Sequence, residues 1–170
     1  MPDIGIIGGA GYVGAMLVPK LLGAGHRVKV LDWFLFGDEV LDDVKDDEGF
    51  TEIKGDIRDT NLLAQVLPGC DAIIHLACIS NDPSCELNPS LTRSVNLDAF
   101  APLVQAAKLA GVRRFIYASS SSVYGISDAP NVDEDHPIAP LTLYSRYKAQ
   151  CEPVLLEQQT AAFIPVILRP

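Results

Sequence analysis

Basic residues are scarce in this 170-residue chain: 13 Lys and Arg stand against 22 Asp and Glu, a formal net charge of −9. Such a field repels nucleic acid and anionic membrane surfaces, so neither is an expected partner. Long apolar runs are also missing. The longest are strand-length, well short of the roughly 18–20 residues that span a bilayer. The start, Met1-Pro2-Asp3-Ile4, has no basic segment of the kind that opens a secretory signal. Cysteine is limited to Cys70, Cys78, Cys85 and Cys151, with no CxxC pair. In a chain of this size they read as small buried hydrophobes in a reducing, cytoplasmic setting. No disulfide framework and no metal site is expected. Apolar residues are plentiful: 48% of the chain is hydrophobic and 21% charged. That excludes global disorder, suffices for one core, and is too short for two ordinary domains.

The negative charge is concentrated. Asp38 to Glu48 holds seven acidic residues and one lysine. The segment reads as a solvated loop or weak helix between strands. A calcium loop fails on ligand spacing and on the missing central glycine.

Hydrophobic periodicity places strands at Asp3–Gly8, His26–Asp32, Thr51–Lys54, Asp71–Leu76, Arg113–Ala118 and Phe163–Leu168. Helices are expected over Tyr12–Leu22, Asn61–Val66, Ser90–Ala110 with a kink at Pro102, and Leu143–Gln159 with a break or bend at Pro153. Pro130 to Pro140 reads as a proline-rich loop. The resulting order, βαββαβαβαβ, predicts an α/β fold: a Rossmann-like, doubly wound parallel sheet of at least six strands.

Between the first strand and first helix lies Gly8-Gly9-Ala10-Gly11-Tyr12-Val13-Gly14. Glycines at 8, 11 and 14 permit a tight turn, close approach of backbone to a pyrophosphate, and close helix–strand contact. With Tyr12 and Val13 at the helix start, they are the candidate phosphate-binding residues. Asp32 closes the second strand 18 residues after Gly14. A carboxylate there accepts from both hydroxyls of an adenosine ribose and repels a 2′-phosphate, which favours NAD over NADP. Asp56 and Ile57, after the third strand, are candidates for the adenine side.

Taken together, GGAGYVG, Asp32, GDIRD (Gly55–Asp59), HLA (His75–Ala77), ASSSSVYG (Ala118–Gly125) and YSRYK (Tyr144–Lys148) resemble the extended short-chain dehydrogenase/reductase family. The nearest look is to its nucleotide-sugar epimerases and dehydratases. The resemblance implies that Tyr144 takes the proton from a sugar hydroxyl as hydride leaves the carbon. Lys148, four residues on and so on the same helix face, would favour the phenolate together with the positive nicotinamide ring, and would hold the nicotinamide ribose. Ser120, four residues before Tyr124, would hydrogen-bond the reacting oxygen, with Ser121 as the fallback. Tyr147 lacks a lysine at +4, since that position is Cys151. Leu76 and Ala77 would line the cofactor, while His75 would be structural or line the cofactor. Asn96 would steady the active-site loop, Tyr124 would border the sugar or nicotinamide, and His136 is structural.

In related dehydratases, Asp-Glu follows the catalytic hydroxyl. Ser121 and Ser122 stand there here and supply no carboxyl chemistry. A lysine three residues past the alanine in many galactose epimerases is Ser80 here. The loop Asn81–Cys85 either selects substrate or forms an Asx-capped turn. The implied function is an NAD-dependent nucleotide-sugar epimerase, commonly acting at C4. A reductase, decarboxylase or other net oxidoreductase and a non-catalytic NAD-binding scaffold are the alternatives. The resemblance further implies a homodimer through two long helices per subunit. It also implies that residues 1–170 form the NAD(P)-binding domain, about half of the usual extended enzyme, with the C-terminal substrate domain largely absent. Apolar surface should then be exposed where that domain would pack.

Overall fold

The computed structural model describes residues 1–170. Six strands, β1 (Asp3–Ile7), β2 (Arg27–Asp32), β3 (Phe50–Lys54), β4 (Ala72–His75), β5 (Arg114–Ala118) and β6 (Ile164–Leu168), form one sheet. Their order is β3-β2-β1-β4-β5-β6, and every pair is parallel. The helices are α1 (Tyr12–Gly23), α2 (Thr60–Val66), α3 (Asp82–Leu87), α4 (Pro89–Arg93), α5 (Phe100–Leu109) and α6 (Leu143–Leu156). This is the expected doubly wound arrangement. The sequence runs outward from β1 to β3, then returns to the other side of β1 at β4. The carboxyl ends of β1 and β4 therefore diverge, which is where such sheets bind ligands.

Strand alternation splits the core in two. Ile7, Leu31, Ile73, Phe115 and Tyr117 point to the face covered by α2, α5 and α6. Ile4, Ile6, Val28 and Val30 point to the face covered by α1. The segment Phe34–Val44 packs on this face as well, and the half formed by β4, β5 and β6 is the less covered one. Ile74, Ile116 and Val166 stand in register across β4, β5 and β6, and none is buried. Ile164 and Leu168, on the same side of β6, are 42% and 52% exposed. This half of the sheet therefore carries partly exposed apolar side chains.

Three sequence expectations change. The segment Ser90–Ala110 is not one helix: α4 passes through a π turn at Ser94–Asp98 into α5. The irregularity is at Asn96, not at Pro102. Pro102 is the third residue of α5, just past the π turn, and α5 runs on through it. The loop after β4 contains α3, started by Asn81, whose side chain accepts from Ser84 N at 3.0 Å. Finally, α6 runs through the exposed Pro153 and stops at Leu156. It starts in a capping box between Thr142 and Ser145.

The turn between β1 and α1 is packed backbone on backbone. A Cβ on Gly14 would lie 2.2 Å from the Gly9 carbonyl oxygen. Gly14→Ala is expected to cost about 1–3 kcal/mol of folding stability by overpacking. Gly11→Ala, whose Cβ meets nothing nearer than 3.5 Å, should leave the denaturation midpoint nearly unchanged. Urea unfolding of both variants checks the contrast.

Candidate active site

A cavity of about 520 Å³ opens at the carboxyl end of the sheet. The turn after β1 and the segment after β4 form its floor and are in contact. Gly8 has φ +89°, and a Cβ there would lie 2.4 Å from Ala77 N. Leu76 N and Ala77 N both donate to Ile7 O, at 2.7 and 2.8 Å. Gly8, Gly11, Tyr12, Val13, Leu76 and Ala77 all line the cavity. Gly11 caps α1 without a side-chain bond, so the first N–H groups of the helix remain for a ligand. With the positive end of the helix dipole they favour an anion. Gly14 lies off the cavity, and its part is the contact with Gly9.

Asp32 lines the cavity wall. Its Oδ2 accepts from Ala10 N and its Oδ1 from Phe34 N, both at 2.8 Å. These bonds fix the carboxylate, and each oxygen keeps a lone pair for a hydroxyl donor. Ile57 is buried and lines the cavity. Asp56 does not line it. Burial opposes ionisation of Asp56, but the Arg58 guanidinium and backbone N–H hold its carboxyl below the usual range. Arg58 also lies 5.2 Å from the ring centroid of Trp33.

Sequence reasoning missed the segment Trp33–Phe36. Trp33, Leu35 and Phe36 line the cavity, and Leu35 and Phe36 are about three-quarters exposed. They supply an apolar wall for a flat heterocycle beside Asp32. The signal was present as a hydrophobic run directly after the strand-ending acid. Cys78, at the end of the fourth-strand motif, lines the cavity as the resemblance implies, whereas Ile79, also in the lining, was passed over.

At the far end, Tyr144 and Lys148 reach the cavity from α6. Lys148 is 4% exposed, and its Nζ donates to Ala118 O at 2.6 Å. It lies 4.9 Å from the Tyr117 ring centroid and 5.6 Å from that of Tyr144. Two ammonium protons remain for other acceptors. Ser120 lies just off the lining. Its Oγ accepts from Ser122 N at 3.2 Å and from Ser122 Oγ at 2.8 Å. Its own proton is therefore free for another acceptor, and its side chain pulls the Tyr144 phenol toward ionisation. Ser119 differs: it is buried and donates to Glu152 Oε1 at 2.5 Å.

The expected easy ionisation of Tyr144 meets an opposing force. Burial, with Cys78 adding to it, pushes the phenol up to about 12, against the pull of Ser120.

His75 is buried in an aromatic cluster. It stacks on Tyr117 with ring centroids 5.7 Å apart, and burial, then the Lys148 charge, lower its pKa to about 3. It is a neutral packing residue off the cavity. Asn96, at the π turn, accepts from Ile79 N at 2.8 Å and donates to Ile79 O at 2.9 Å. It pins the segment after β4.

The sequence profile of the NAD dependent epimerase/dehydratase family matches residues 4–170. The chain belongs to that family. It is 36% identical over 152 residues to UDP-glucose 4-epimerase of Mycolicibacterium smegmatis, covering 86% of this chain and 48% of the relative. DesIV, a dTDP-glucose 4,6-dehydratase from Streptomyces venezuelae solved as a double mutant with NAD bound, superposes with TM-score 0.90 at 31% identity, over 98% of this chain and 55% of DesIV. The UDP-Glc/GlcNAc 4-epimerase of Campylobacter jejuni gives TM-score 0.91 at 29% identity, over 99% and 53%. The chain thus spans about half the length of these relatives.

Trp33 is the single tryptophan, so its fluorescence should report NAD binding directly. Asp32→Ala should weaken the affinity at least about tenfold, the order expected for lost hydrogen bonds to a charged group, while Gly11→Ala should also weaken it. Unchanged titration curves would remove the ribose and phosphate assignments. The raised Tyr144 pKa carries a second expectation. Its contribution to stability is complete below the ordinary tyrosine value of about 10 and is lost as pH rises through about 12. Melting curves of Tyr144→Phe should therefore fall less steeply than the parent's over that alkaline window.

Proposed function

We propose that this chain is the cofactor-binding part of an NAD-dependent epimerase that acts on a nucleotide-linked sugar, oxidising and re-reducing it at C4. The observation that carries the reading is the gathering of Tyr144 and Lys148 at one end of a cavity, with Ser120 just off its lining. The other end is formed by the glycine turn and Asp32.

The residues fit the cofactor. Gly11 leaves open space where a Cβ would otherwise project, the α1 terminus lacks a side-chain cap, and Asp32 is braced with lone pairs free. Gly8, Gly11, Tyr12 and Val13 would hold the pyrophosphate, Asp32 the adenosine ribose, and Ile57 with Trp33 the adenine. Leu76 and Ala77 line the path between them. Lys148 would hold the nicotinamide ribose with its two remaining protons. NAD, when bound, supplies a hydride acceptor and donor and a positive ring.

Tyr144 accepts the proton of the sugar hydroxyl and later returns it. Ser120 donates to the reacting oxygen and steadies the charge on it. Lys148 keeps its ammonium beside both groups. Epimerisation is favoured over 4,6-dehydration because Ser121 and Ser122 follow Ser120 and carry no carboxyl group. Elimination of water needs an acid and a base that these hydroxyls do not provide.

In solution we expect a cytoplasmic homodimer. The outer sides of α5 and α6 expose Leu109 (78%) and Leu156 (50%), and a second copy would cover them. No helix is long and apolar enough to cross a membrane.

NMR of UDP-glucose with UDP-galactose, in the chain itself and in any longer protein containing it, tests the function. Interconversion without accumulating NADH is expected, and Tyr144→Phe should lower it by roughly 10²-fold or more. Stoichiometric NADH would point to a net oxidoreductase. NAD binding with no turnover in the longer protein would point to a scaffold.

A further inference from the structure

Glu152 follows Lys148 by four residues, so Tyr144, Lys148 and Glu152 share one face of α6. Glu152 is 2% exposed and does not line the cavity. A carboxylate buried that deeply must be paired. Arg169, just past β6, closes on it as a fork: Nε donates to Oε1 at 3.0 Å and Nη2 to Oε2 at 2.6 Å. Ser119 Oγ donates to Oε1 as well.

The remaining nitrogen of Arg169, Nη1, reaches outward. It donates to the Tyr124 hydroxyl at 2.8 Å and to the Glu134 carbonyl oxygen at 3.2 Å, and the guanidinium lies 5.0 Å from the Tyr124 ring centroid. One side chain thus links α6, both ends of the serine turn, and the proline-rich segment. The backbone of the same strand end repeats the grip. Leu168 O accepts from Ser119 N at 2.8 Å, and Pro170 O from Ser121 N at 2.9 Å. Ser120 sits between two residues that are both tied to this frame.

We propose that Glu152 and Arg169 are positioning residues for proton transfer. They hold Ser119 and Tyr124 so that the Ser120 hydroxyl between them meets Tyr144. This rests on reading Ser120 and Tyr144 as the reacting pair. Arginine is required because only its planar fork binds both carboxylate oxygens while a third nitrogen reaches Tyr124. Deleting either partner outright would strand a buried charge, so conservative variants are the informative ones.

The test is NMR of protein labelled with ¹³C at the tyrosine ζ carbon, with the Tyr144 signal assigned by its loss in Tyr144→Phe. Ser120→Ala should shift that signal, because the hydrogen bond to the phenol oxygen is gone. Arg169→Lys should shift it in the same direction by at least half as much. Adding Ser120→Ala to Arg169→Lys should produce no shift beyond that of Ser120→Ala alone, since Arg169 acts through Ser120. NAD affinity, read from Trp33, should be unchanged in each variant. Glu152→Gln, which keeps an acceptor for Ser119, is the second variant and should shift the signal less.

A folded Arg169→Lys and Glu152→Gln with Tyr144 at its parent position would overturn the proposal, as would additive shifts. Unfolding of both would overturn it too, by making the pair a stability element. The readout needs neither substrate nor turnover. Missing epimerase activity would therefore sink the functional reading and leave this result standing. A Tyr144 signal unmoved by Ser120→Ala would end the pairing on which both rest.

Discussion

The bond from Lys148 to the Ala118 carbonyl is the interaction on which the site depends. It ties the middle of α6 to the end of β5 with an ammonium that is almost wholly buried. A charge so placed needs compensation, and it finds a carbonyl oxygen and two tyrosine ring faces. Because the helix repeats at four-residue intervals on one side, fixing Lys148 fixes the residues one turn either way. Tyr144 is held over the cavity on one side. Glu152 is held against Ser119 and Arg169 on the other.

The opposite end of the cavity is governed by close packing of backbone. Gly14 against Gly9 and Gly8 against Ala77 leave no room for side chains, so the β1–α1 turn and the segment after β4 are locked together. Gly11 is the exception: its free side faces the cavity and meets no protein atom closer than the Gly8 carbonyl oxygen. Three glycines of one motif therefore answer to different constraints, two internal and one directed at a ligand.

Much of the architecture was legible because it rests on local rules. Apolar runs of strand length, the glycines after β1 and the four-residue step from Tyr144 to Lys148 each have one simple physical reading. The π turn at Ser94–Asp98 was not legible: it carries Asn96, which bonds both backbone groups of Ile79, 17 residues away in sequence. The effect of burial on Tyr144 in the protein alone was not legible for a similar reason. Spacing reveals the neighbouring ammonium, but burial, which raises the phenol, belongs to the tertiary fold. Glu152 lies one more turn along the same face and could have been read from periodicity. Arg169 could not, since only the sheet brings β6 beside that turn.

On its own the protein holds the Tyr144 phenol back, and a positive ring beside it would ease its ionisation. Titrating the ¹³Cζ signal of Tyr144 with and without saturating NAD tests that claim most directly. The account predicts a pKa of about 12 for the protein alone and a clear fall toward neutrality when NAD is bound. A Tyr144 pKa that is the same in both states, with NAD binding independently verified, would contradict it.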